Sequence, residues 1–143
     1  METAAFDGCE DQHDISFDDD ISEWDTSGVT TMILMFHGAM AFNQPLNGWS
    51  VDQVTEMDGM FLLATSFNQP LKSWNVAKVT SMTGMFRGAS SFNRPIGGWN
   101  VDKVTNMNSM FRYTLAFNQP LDSWSVDKVT DMSNMFYQSS SFN

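Results

Sequence analysis

The five tryptophans of the chain stand at positions 24, 49, 74, 99 and 124, so each is 25 residues from the next. A fixed step of this length marks one structural unit copied in tandem. A single copy cannot bury its own apolar face and must stack on its neighbours. Other columns keep the same step. Met-Phe recurs at Met35-Phe36, Met60-Phe61, Met85-Phe86, Met110-Phe111 and Met135-Phe136. Asn follows the second Phe at Asn43, Asn68, Asn93, Asn118 and Asn143. Such a chain offers surfaces far more readily than it carries out chemistry.

Each unit holds two local patterns. The stretch Leu46-x-x-Trp49-x-Val51 ends in alternation and is rich in β-formers, which predicts a short strand. Met57-x-x-Met60-Phe61-x-x-Ala64-x-x-Phe67 has apolar residues three and four apart, which predicts one or two turns of helix. Asn-Gln-Pro-Leu then turns the chain back, proline fixing φ and ending helical conformation. The expected fold is an α/β repeat solenoid of five to six coils over residues 17–143, following an acidic segment or cap at residues 1–16. Its core is the Met-Phe stripe together with Trp24, Trp49, Trp74, Trp99 and Trp124. Twelve Met and twelve Phe supply soft sulfur–ring packing. Asn43, Asn68, Asn93 and Asn118 read as a structural ladder of inward amides bonding backbone at each turn, with an exposed ligand-binding row as the alternative. The Thr column, Thr30 to Thr130, reads as turn chemistry rather than an ice-binding face.

The joint motif Leu46-x-x-Trp49-x-Val51-x-x-Val54-Thr55-x-Met57-x-x-Met60-Phe61-x-x-Ala64 resembles the BspA-like leucine-rich repeats. It is most similar to their 25/26-residue subgroup, DUF285 or bacterial surface-protein repeats, and the resemblance spans residues 17–143. What the resemblance implies is a right-handed leucine-rich-repeat-like solenoid with a parallel strand ladder on its concave side. It also implies a secreted or cell-surface setting and adhesion or partner binding. It brings no catalytic residues, cofactor or metal.

The 143 residues carry 17 acids against 7 bases. Residues 1–25 hold ten acids, from Glu2 to Asp25, and no base, while residues 26–143 hold seven of each, so the repeats are neutral and the whole excess of −10 lies in the leading segment. That distribution argues against nucleic acid, which needs clustered Lys and Arg. The leading segment reads as a polar cap anchored by Phe6, Phe17 and Ile21, or as a docking element for a basic partner, or as a calcium site on Asp14, Asp18, Asp19 and Asp20. The last lacks an EF-hand spacing. No apolar run approaches a membrane span. No signal peptide is visible at Met1, and Cys9 is the sole cysteine, so no internal disulfide supports the fold. The chain stops at Phe142-Asn143, part-way through a unit, which points either to a truncated chain or to a neighbour covering that coil.

His13 and His37 are the only histidines, and no nucleophile, phosphate-loop or metal motif is present, so catalysis is not expected. Two surfaces remain. The positions between Leu46, Trp49 and Val51, such as Ser73, Asn75 and Asp102, form a small polar face suited at most to a shallow ligand such as a glycan. On the other side Ile33, Leu34, Leu62 and Leu63 replace polar or glycine residues of the other units. This apolar patch is the expected site for a protein partner, unless the leading segment folds back over it. The function expected is therefore a non-catalytic interaction or adhesion module for a protein or glycan, or else a scaffolding subunit seated in a larger complex.

Overall fold

The computed structural model describes residues 14–143. Each 25-residue unit is one coil of a compact repeat domain, and three aromatic columns run through the buried interior. Phe36, Phe61, Phe86, Phe111 and Phe136 stack with ring centres 5.4–5.7 Å apart. Phe17, Phe42, Phe67, Phe92, Phe117 and Phe142 stack at 5.6–6.0 Å. Within each coil the two columns touch, for example Phe61 and Phe67 at 4.0 Å. Trp24 lies 6.3 Å from Trp49 and Trp74 lies 6.4 Å from Trp99, nearly parallel in both pairs.

The indoles are fixed at their polar edges too. Nε1 of Trp49, Trp74, Trp99 and Trp124 donates to the carbonyl of Ile21, Leu46, Leu71 and Ile96 respectively, each 28 residues back, at 2.9–3.1 Å. A buried indole N–H without such an acceptor would be costly. Trp49, Trp74 and Trp99 are buried, whereas Trp24, in the first described coil, is 42% exposed. Leu46, Leu71, Ile96, Met57, Met82 and Met107 complete the core beside the rings.

The expected strand and helix are both corrected. No helix forms over residues 57–67, and no extended strand over residues 46–51. Each coil is instead a chain of three-residue turns, with the N–H of residue i+3 bonded to the carbonyl of residue i: Trp49 to Leu46, Val54 to Val51, Met60 to Met57, Ala64 to Phe61 and Phe67 to Ala64. Both ends of these turns are buried residues. The spacing of three and four that suggests a helix is the spacing of corners in a polygonal coil.

The only parallel bridging among the described residues also lies elsewhere than expected. Bridges pair Thr31 with Glu56, Glu56 with Ser81, Ser81 with Asn106 and Asn106 with Asp131. They open a segment in which alternate peptides point along the stack. Met57, Gly59, Phe61 and Leu63 donate to Ser81, Thr83, Met85 and Arg87 of the next coil at 2.8–3.1 Å. The intervening N–H groups of Met60, Leu62 and Ala64 bond within their own coil. Every second peptide thus serves the neighbour and every other one serves the turn. This satisfies the backbone without a helix or a long strand. The return traffic is lighter: Thr80 N–H donates to the Thr55 carbonyl at 2.8 Å, and the Thr80 hydroxyl meets the same oxygen at 3.2 Å.

The Asn column lies at a coil corner, exposed or half-buried rather than directed into the core. Asn43, Asn68, Asn93 and Asn118 each accept, on Oδ1, the N–H of the residue 25 further on, at 2.9–3.2 Å. In the first coil Asp18 takes the same place and accepts from Asn43 N–H at 2.8 Å. Gln69 and Gln119 add Nε2 bonds to the carbonyls of Asn43 and Asn93, and Arg94 Nε bonds that of Asn68.

Of the expected cap anchors, Ile21 is buried and Phe17 half-buried; Phe6, Cys9 and His13 lie outside the described residues, as do the acids before Asp14. The described acids serve local turns. Hydrogen bonds from the Ser16, Ser27 and Ser133 hydroxyls, then from the same residues' N–H groups, hold Asp14, Asp25 and Asp131 below the ordinary aspartate pKa of 3.8. For Asp20 the Ser22 N–H is the larger cause. A depressed folded-state pKa gives stabilisation that is complete above the ordinary value and lost as pH falls through the lowered one. Thermal melts from about pH 5 downward are therefore expected to show a falling midpoint. The combined Asp14, Asp20, Asp25 and Asp131→Asn variant keeps the acceptor oxygens and should lose part of that slope. An equal slope in both proteins would exclude these four groups as its source.

Candidate functional site

The bridged segments of successive coils form one face, and this is where the units differ most. At the 33 column stand Ile33, Asp58, Thr83, Asn108 and Ser133; at the 37 column His37, Leu62, Arg87, Arg112 and Tyr137. The 34 and 38 columns are special because both need a positive φ. The first holds Leu34, Gly59, Gly84, Ser109 and Asn134, and the second Gly38, Leu63, Gly88, Tyr113 and Gln138. Leu34 sits at φ 55° and Leu63 at φ 60°. A non-glycine residue held there costs about 1–2 kcal/mol.

Each strained leucine leans over a glycine of the next coil. A Cβ on Gly59 would come within 2.6 Å of Leu34 Cδ2, and one on Gly88 within 2.7 Å of Leu63 Cδ2. The leucines thus use space that only glycine leaves free, yet Leu34 and Leu63 stay 45% and 47% exposed. Ile33, Leu34 and Leu62 line one shallow hollow of about 270 Å³ with Asp58, Thr83 and Arg87. Leu63 is not part of that hollow and lies beside it over Gly88. Asp58 on its wall is already engaged, accepting from Ser81 Oγ at 2.5 Å and Thr83 N–H at 2.8 Å.

Further along the same face Tyr113 and Tyr137, scattered apolar groups in the sequence, gather around Arg112. The Arg112 guanidinium lies 5.1 Å from the Tyr113 ring centre and 5.0 Å from that of Tyr137, and the two rings meet edge to face at 5.7 Å. Arg112 Nε is buried without a hydrogen-bond partner among the described residues. Arithmetic on the period could have found the group, since Arg87, Arg112 and Tyr137 share a column and Tyr113 follows Arg112.

Among the described residues no group of three or more His, Cys, Asp or Glu is placed to hold a metal ion. Three aspartates of the suggested calcium site have separate partners, Asp14 accepting from Ser16, Asp18 from Asn43 and Asp20 from Ser22. No described helix is long and apolar enough to cross a membrane.

The DUF285 family, described as a Mycoplasma protein of unknown function, matches residues 4–93 and 71–143. The chain belongs to DUF285. The two overlapping matches span nearly all of the chain, as expected for tandem units. No curated protein and no solved structure matches it. For this DUF285 chain the bridged face is therefore read from its own geometry. The patch expected on a helical side sits instead on the hydrogen-bonded side of the coils.

Proposed function

We propose that the chain is a non-catalytic interaction module that binds a protein partner through the bridged face, in the manner of a BspA-like, right-handed leucine-rich-repeat solenoid displayed at a cell surface. One observation carries this reading. Leucine occupies two left-handed backbone positions that two other coils in each column give to glycine, and the side chains so placed remain half exposed. Strain retained for an exposed apolar group is better explained by recognition than by folding. The face also displays Tyr113, Tyr137, Arg87 and Arg112, residue types that dominate binding hot spots.

The test is site-specific photo-crosslinking in cells that make the protein. A photoreactive residue at Leu34 or Leu62 is expected to give a discrete protein adduct, and one at Ser73 or Asn75, on the small polar face, is not. Adducts from the polar face alone would sink the proposal. A linked prediction separates binding from folding. Leu34→Gly with Leu63→Gly relieves the backbone strain while exposing the glycines beneath, so stability should change by no more than about 1 kcal/mol. The adduct yield at Leu62 should nevertheless fall at least tenfold, read by gel densitometry against a urea melt.

A further inference from the structure

The two arginines of the bridged face say what kind of partner it fits. Arg87 and Arg112 occupy the same column in consecutive coils, whose backbones are joined there by the Gly88 N–H to Arg112 carbonyl bond at 2.8 Å. Directly bonded neighbouring segments lie about 4.8 Å apart. Neither arginine has a salt-bridge or hydrogen-bond partner for its side chain among the described residues, in a chain with 17 acids and 7 bases. Two of the three acids of this face are occupied, Asp58 by Ser81 and Thr83 and Asp131 by Ser133 and Asn108, while the third, Glu56, is exposed one coil before Arg87. Arg112 is also held in place between Tyr113 and Tyr137, with Nε buried and lacking an acceptor. A guanidinium fixed before contact loses less freedom on binding a carboxylate.

Arg87 also lines the hollow formed by Ile33, Leu34 and Leu62, so an apolar recess and a cationic pair adjoin. We infer that this face takes an extended acidic peptide segment, with one apolar side chain in the Ile33–Leu34–Leu62 hollow and carboxylates on Arg87 and Arg112. The inference rests on the bridged face being the binding face. A polyanion such as nucleic acid fits less well: two cations on a molecule of net charge −10 offer few ion pairs, and the apolar recess would be unused.

Selection of a random dodecapeptide display library on the folded full-length chain tests this. Enriched peptides should pair at least two Asp or Glu with an aliphatic or aromatic residue. Their affinity should fall at least tenfold both for Arg87→Gln/Arg112→Gln and for Leu34→Ser/Leu62→Ser, each checked for an unchanged thermal melt. Arg87→Lys/Arg112→Lys, which keeps charge but not the guanidinium fork, should recover part of the loss. Peptides lost with the leucine variant but indifferent to the arginines would overturn the acidic preference and leave the face reading intact. Peptides indifferent to both variants, or no enrichment at all, would overturn both. Heparin binding at about 0.15 M salt with no peptide enrichment would replace the inference with a glycan.

Discussion

Phe86→Ala is expected to lower the folding free energy by about 3–5 kcal/mol, measured by urea denaturation. The ring is fully buried and faces Phe61 at 5.5 Å, Phe92 at 4.1 Å and Phe111 at 5.7 Å, so removal opens a cavity in the middle of the stack. Neighbouring coils cannot close over it, because the hydrogen bonds at the coil edges fix their spacing. Phe136, in the same column but only half-buried in the last coil, should cost clearly less when truncated. Equal losses at the two positions would mean that the stack does not transmit packing between coils as described.

The second large effect concerns length. Excision of residues 73–97 removes one whole 25-residue step and joins Lys72 to Gly98 with every column preserved. The shortened protein should fold with a single cooperative transition, less stable by one coil and its interface. Excision of residues 73–96 is one residue shorter and joins Lys72 to Gly97. It displaces every downstream column against its predecessor, putting Phe and Met opposite exposed positions, and should abolish cooperative unfolding. Circular dichroism melts of the two deletions decide the matter. A well-folded 24-residue deletion would show that the columns are not held in step.

How much of this was legible in the sequence differs from residue to residue. The 25-residue step and the membership of Phe61, Phe67 and Trp74 in a common interior follow from self-similarity alone, because identical positions in stacked copies must face one another. Secondary structure did not follow. Met57, Met60, Phe61 and Ala64 are spaced as a helix would space them, and a polygon of three-residue turns spaces them in the same way. Choosing between the two requires knowing where the N–H groups go, and half of them go to another coil 24 residues away. The apolar patch was visible as Ile33, Leu34, Leu62 and Leu63, but its strained backbone was not. Glycines at Gly59 and Gly88 hinted at two left-handed columns, and the leucines occupying those columns elsewhere concealed them.

The interface sends four backbone N–H groups forward, from Met82, Gly84, Phe86 and Gly88, against three returned, by Thr105 and Ala116 to backbone carbonyls and by Asn118 to Asn93 Oδ1. A regular parallel sheet has no such imbalance. The stack therefore has a permanent electrical moment along its axis, with the negative pole toward the first coil. Asp18, Asp19, Asp20, Glu23 and Asp25 crowd that same pole and reinforce it. An acidic segment approaching from a distance would therefore be steered away from that pole and toward the later coils that carry Arg87 and Arg112.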